Sequence, residues 1–75
     1  MKAVYICMQN LDEAFYLNGT CIIMNDSGAG DCNPVFEVAQ QTAGALGVEL
    51  VSFEDVAEPD NDCWDMREVY DSLIK

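Results

Sequence analysis

The sequence predicts one acidic α+β domain over residues 1–75: a small, mainly antiparallel three-stranded sheet with two or three short helices packed on one face. Three observations predict it. Apolar runs rich in β-branched and aromatic residues recur at "KAVYICM" (2–8), "TCIIMN" (20–25) and "VELVSF" (48–53). Two other stretches, from Val35 and from Asp62, place apolar residues at intervals of three and four instead. Hydrophobic residues fill 51% of the 75 positions, which argues against intrinsic disorder, while the length leaves room for a single core.

The first run reads as a buried strand. The segment "NLDEAFYLNG" (10–19) supports two readings. Asn10 as a cap, Glu13 at the capping-box position, Asp12 near the positive end and Gly19 as a left-handed stop favour a short helix. Asn18-Gly19 is also a strong hairpin signal, pairing "AFYL" with "TCII". The helix is preferred, and on either reading Leu11, Ala14 and Phe15 face the core. In the next helix Asn33 caps, Pro34 takes the first helical position and Gly47 closes the end. Val35, Val38, Ala39, Thr42, Ala43 and Leu46 form its apolar face. The last helix starts near Asp62. Its stripe of Cys63, Met66, Val69, Tyr70, Leu73 and Ile74 falls within an arc of about 140°, and Lys75 lies at its negative end.

Four cysteines, Cys7, Cys21, Cys32 and Cys63, form an even set that two disulfides would satisfy. The N-terminus argues against secretion, because "MKAVYICMQN" carries an apolar run of about six residues, shorter than a signal-peptide core. No stretch approaches the roughly 20 apolar residues of a membrane span. A cytoplasmic chain with reduced thiols and no membrane role is expected, with Cys7 and Cys21 as small core residues.

The motifs that carry chemistry are incomplete. "NDSGAGDCNP" holds Gly28-Ala29-Gly30 between a strand and a helix, but no lysine is near, Asn33 stands where a third glycine belongs, and Asp26 and Asp31 would repel phosphate. Cys32 precedes a helix, where its thiol pKa would fall, yet the chain contains no histidine to serve as base. From Asp60 a calcium loop would need glycine at its sixth position and glutamate at its twelfth; Asp65 and Asp71 stand there. A cleft able to hold a sugar between two carboxylates needs more wall than this length provides. No enzyme, catalytic residue, cofactor or metal ligand is expected.

Charge is the unusual property. Fourteen Asp and Glu face three Lys and Arg, a net charge of -11. Such a field repels nucleic acid and anionic lipid and steers basic surfaces toward the chain. "FEDVAEPDNDCWD" (53–65) holds six carboxylates and no base. If the last helix starts near Asp62, then Asp62, Asp65, Glu68 and Asp71 repeat every third residue, about 5–6 Å apart, a spacing comparable with phosphates along a strand. Glu54, Asp55, Glu58 and Asp60 extend that row. A solvated helix face with acids at its positive end explains Asp62 and Asp65, but not the scarcity of pairing cations, of which only Arg67 and Lys75 are near. Trp64 stands among the acids, either as an interface anchor or folded back over the core. These nine residues are the expected partner-binding set.

In small size, acidity, absence of histidine and α+β pattern, the whole chain resembles the acidic phage-encoded anti-CRISPR proteins, in particular inhibitors of type I and type I-C surveillance complexes. No signature motif carries the resemblance, so it assigns no functional residue. It implies a protein in the cytoplasm of an infected bacterium that binds a subunit of a type I crRNA-guided complex. There it would block target DNA binding as a mimic of DNA, with no nucleic-acid binding of its own. The alternatives are an acidic inhibitor or adaptor of another basic protein, such as a nuclease, toxin or transcription factor, and a small calcium-binding regulatory domain.

Overall fold

A computed structural model describes residues 1–26, 33–60 and 63–74. The chain runs β1 (Ala3–Met8), β2 (Glu13–Leu17), β3 (Thr20–Asn25), α1 (Val35–Leu46), β4 (Leu50–Val56) and α2 (Met66–Ile74). The four strands form one sheet in the order β3-β2-β1-β4. β2 is antiparallel to both β1 and β3, and β4 is parallel to β1. The α+β class is as expected; among the described residues the sheet has four strands rather than three, and it is mixed, with two antiparallel pairings as the expectation had it and one parallel.

The additional strand is "EAFYL", the hairpin arm in place of the preferred helix. Asn18 and Gly19 both take positive φ, 54° and 86°, the conformation whose twist matches that of paired strands. Asn10 does bind the backbone locally, but as a turn former: the Asp12 amide donates to its Oδ1 at 2.9 Å. Ala14 and Phe15 are fully buried, whereas Leu11 is 67% exposed at the preceding turn.

The helices cover opposite faces of the sheet, contrary to the expectation of one. Val4, Ile6, Met8, Ala14 and Tyr16 meet Met66, Val69 and Tyr70 of α2. Ala3, Tyr5 and Phe15 meet Val35, Ala39 and Ala43 of α1. Successive side chains in a strand point to opposite faces, and β1 and β2 are apolar at both parities. Helices on one face would leave either Phe15 and Tyr5 or Ile6 and Tyr16 in water, at about 1.5–3 kcal/mol for each large side chain. Tyr70 also stacks on Tyr16, with centroids 4.2 Å apart and planes 21° apart.

Element boundaries shift for local reasons. Pro34 is the N-cap of α1, without a side-chain cap bond; Asn33 Nδ2 donates instead to the Met24 carbonyl at 2.7 Å. Gly47 closes α1 with φ 70°, and the Val48 amide donates back to the Ala43 carbonyl at 3.0 Å. Strand β4 therefore starts at Leu50, two residues later than expected. Leu46 is exposed rather than part of the apolar face. Helix α2 starts at Met66, not near Asp62, and Cys63 lies outside both helix and core. Cys7, Cys21 and Cys63 are free thiols, and Cys21 is exposed because it sits on an edge strand. Gly28 to Gly30, Asp31, Cys32, Asp62 and Lys75 lie outside the described residues. Among those described, no helix is long and apolar enough to cross a membrane.

Two outcomes follow from this packing. Phe15→Ala should lower stability by about 3–5 kcal/mol in urea denaturation. Burial pushes the Tyr16 phenol up from 10.0 to about 12, so the folded chain holds a proton that the unfolded chain releases. That contribution is intact below pH 10 and is lost as pH rises toward 12. The melting temperature should fall over this window, and less steeply in Tyr16→Phe.

A candidate protein-interaction surface

Strands β1, β3 and β4 point the same way and β2 points back. Their C-terminal ends and the start of β2 therefore share one end of the sheet, and most of the carboxylates among the described residues collect there. Asp12 and Glu13 open β2, Asp26 follows β3, and Glu54, Asp55 and Glu58 lie at and beyond the end of β4. The segment entering α2 arrives at the same end. Trp64, Asp65 and Met66 line a cleft of about 270 Å³ together with Asp12, Met24, Asn25 and Asp26. The described cations lie elsewhere. Lys2 precedes β1 at the opposite end, and Arg67 Nη1 donates at 2.6 Å to the carbonyl of Gly19, in the turn at that end. The charge is polarised along the strands.

Several contacts fix this acidic end. Asn10 Nδ2 donates to Asp12 Oδ2 at 3.1 Å and to Glu58 Oε1 at 2.7 Å, so one amide bridges two carboxylates that would otherwise repel. The Gln9 amide donates to the Val56 carbonyl at 2.8 Å. Between Phe53 and Val56, β4 advances three residues while β1 advances two, from Ile6 to Met8. This bulge holds Asp55 at φ 57° and leaves Glu54 and Asp55 exposed on an edge strand. Glu54, Asp55 and Asp60 have no side-chain partner among the described residues.

Other acids are engaged internally. Glu13 accepts the Tyr5 hydroxyl at 2.6 Å and Asn25 Nδ2 at 3.5 Å. Burial, reinforced by that carboxylate, drives the Tyr5 phenol well above its ordinary range. Asn25 Oδ1 is buried without a partner.

The expected partner-binding residues are thus only partly brought together. Glu54, Asp55 and Glu58 gather at the acidic end with Asp65, and Asp60 follows two residues after Glu58. Asp62 lies outside the described residues. The three-residue row does not exist as a helical row, because α2 begins after Asp65. Asp65 is its cap instead: its Oδ1 accepts the Glu68 amide at 2.9 Å. Asp71 pairs with Arg67 Nε at 3.4 Å, an exposed pair worth about 0.3–0.5 kcal/mol, and Glu68 is exposed on the first turn. Trp64 precedes α2, half-buried against the Met66 side of the core, with its free surface as a cleft wall. Asp12, Asp26 and Asn10 belong to this surface although the acid-rich segment does not contain them. An Asn10-x-Asp12 turn is a signal that could have placed Asn10 and Asp12, had it not read as a helix start, and no local signal places Asp26.

The described side chains of this end offer a partner mainly carboxylate acceptors. Although Cys21 is exposed at the sheet edge, partial desolvation of its thiol by the neighbouring side chains pushes its pKa up, away from the reactive thiolate. Among the described residues no group of three or more Cys, Asp or Glu is arranged to hold a metal ion. No protein-family model, curated protein or solved structure is found to match the chain.

Replacing the helix cap separates structural from surface acids. Asp65→Ala should cost about 1 kcal/mol in thermal denaturation, whereas Asp60→Ala should stay within about 0.5 kcal/mol of the parent.

Proposed function

We propose that the protein is an anti-CRISPR inhibitor that binds a basic subunit of a type I crRNA-guided surveillance complex and blocks target DNA as an acidic mimic. One observation supports this most: carboxylates in excess of any neutralising cation are gathered at one end of a small sheet. Surveillance complexes capture duplex through Arg and Lys aimed at PAM bases and phosphates. Carboxylates held by a bulge, an amide bridge and a helix cap offer those donors directional, charge-assisted acceptors. Glu54, Asp55, Glu58, Asp60 and Asp65 are the leading contacts, with Trp64 beside them and Glu68 and Asp71 further along α2. The site of action is the cytoplasm of an infected bacterial cell, and no nucleic acid or membrane is bound directly.

Charge steering makes association fast and salt-sensitive. The protein should displace duplex DNA from a purified type I complex in a mobility-shift assay, with potency falling as salt rises from about 50 to about 200 mM. A Glu54→Lys, Asp55→Asn, Asp60→Lys variant should keep its melting transition and lose inhibition. Asn is chosen at 55 because it tolerates positive φ. Undiminished inhibition by the folded variant overturns the assignment of these residues.

A further inference from the structure

The two edges of the sheet are built differently. Charged side chains and bulges keep an edge strand from pairing with another chain. Strand β4 has both, because its bulge carries Glu54 and Asp55, exposed side by side. Strand β3, at the other edge, has no charged residue and no proline from Thr20 to Asn25. It has a bulge at Ile22, which has no partner position on β2. That bulge brings an apolar side chain to the edge instead of a charge: Ile22 is 48% exposed and Met24 43%. Asn33 Nδ2 donates to the Met24 carbonyl at 2.7 Å, and a carbonyl keeps a second lone pair for a further donor. Charge flanks β3 at its two ends. At the start, Arg67 Nη1 donates to the Gly19 carbonyl at 2.6 Å, and the Lys2 carbonyl accepts the Asn18 amide at 2.7 Å. Beyond the end comes Asp26, with Asp12 and Asp65 on the same cleft.

We propose that β3 pairs antiparallel with β3 of a second copy of this chain, about a two-fold axis, to make one continuous sheet. Charge selects this occupant. A strand with a cation at its start, a neutral apolar middle and carboxylates at its end is complemented by the same strand reversed. With Ile22 opposite Ile23 of the second copy, Thr20 lies opposite Asn25 and the Arg67 end lies beside Asp26, twice over by symmetry. A parallel copy would bring the two acidic ends together, and a uniformly basic strand would meet carboxylates at one end only. Each copy carries -11, but the antiparallel arrangement holds the acidic ends apart by the length of β3. Six residues at about 3.3 Å each give roughly 20 Å, more than twice the Debye length of about 8 Å at physiological salt. The proposal does not rest on the function given above, since the acidic ends stay exposed in the dimer.

Sedimentation velocity of the full chain at physiological salt tests this. Pairing one short strand from each copy makes a small contact, below about 1,200 Å², of the transient class, so the dissociation constant should be on the order of 100 μM. Ile22→Lys charges the open edge and should weaken the dimer at least about tenfold while its thermal melt stays cooperative. Cys21→Lys guards the same edge and should act alike. Met24→Cys puts a thiol opposite Cys21 of the second copy, and mild oxidation should then give a covalent dimer whose linked peptides join those two positions. A parent chain that stays monomeric at about 1 mM, ten times that constant, overturns the proposal, whether or not it binds an extended basic peptide. So does an undiminished dimer in both lysine variants. Linkage of Cys21 to Cys21 in the oxidised dimer overturns the antiparallel register.

Discussion

The architecture depends on β1 and β2 being apolar on both faces. Val4, Ile6 and Met8 alternate with Ala3 and Tyr5 along β1, and Phe15 stands between Ala14 and Tyr16 on β2; all are buried. A two-sided apolar ribbon needs cover above and below, so the two helices must separate. Helix α1 provides one cover and, as the crossover from β3, carries the chain over β2 and β1 to the far edge. There β4 can pair only parallel to β1 if the crossover is to return the chain to its starting end. Three strands consequently finish at one end of the sheet. The charge polarity follows from that topology and not from the acid-rich segment alone.

Concentrating anions at one end of so small a domain raises its self-repulsion. The fold relieves part of it locally. Asn10 bridges Asp12 and Glu58, Asp65 meets the amide of Glu68 at the positive end of α2, and Glu13 is withdrawn beneath α1 by Tyr5 and Asn25. Glu54, Asp55 and Asp60 receive no such relief. Acids needed only for solubility would be stabilised by spreading over the exterior and mixing with cations. Their crowding is the charge that the proposed cationic partner would compensate.

Backbone strain falls in the same region. Leu11 and Asp55 are the two positive-φ residues outside the Asn18–Gly19 turn and the Gly47 helix stop among those described. One closes the β1–β2 turn and the other shapes the β4 bulge. A domain of this size has little stability to spare, so strained non-glycine positions at a single end mark where conformation serves something other than the core.

Sequence alone determined the elements whose signals are local: the strand runs at 2–8 and 20–25, the Gly47 stop of α1, the apolar faces of both helices apart from Leu46 and Cys63, and the excess of negative charge. It also held the Asn18-Gly19 hairpin, but the capping pattern around Asn10 competed with it. Side chains such as Asn10 serve helix caps and turns by the same hydrogen bond, and only pairing with β1 and β3 decides between them. Tertiary structure alone decided which face each helix covers, because alternation shows that a strand has two apolar sides without saying what lies against either. It likewise decided that Asp65 is a cap and that Asp12 and Asp26 join the acids of the 53–65 segment. Those juxtapositions are produced by strand direction and crossover, and a linear pattern carries neither.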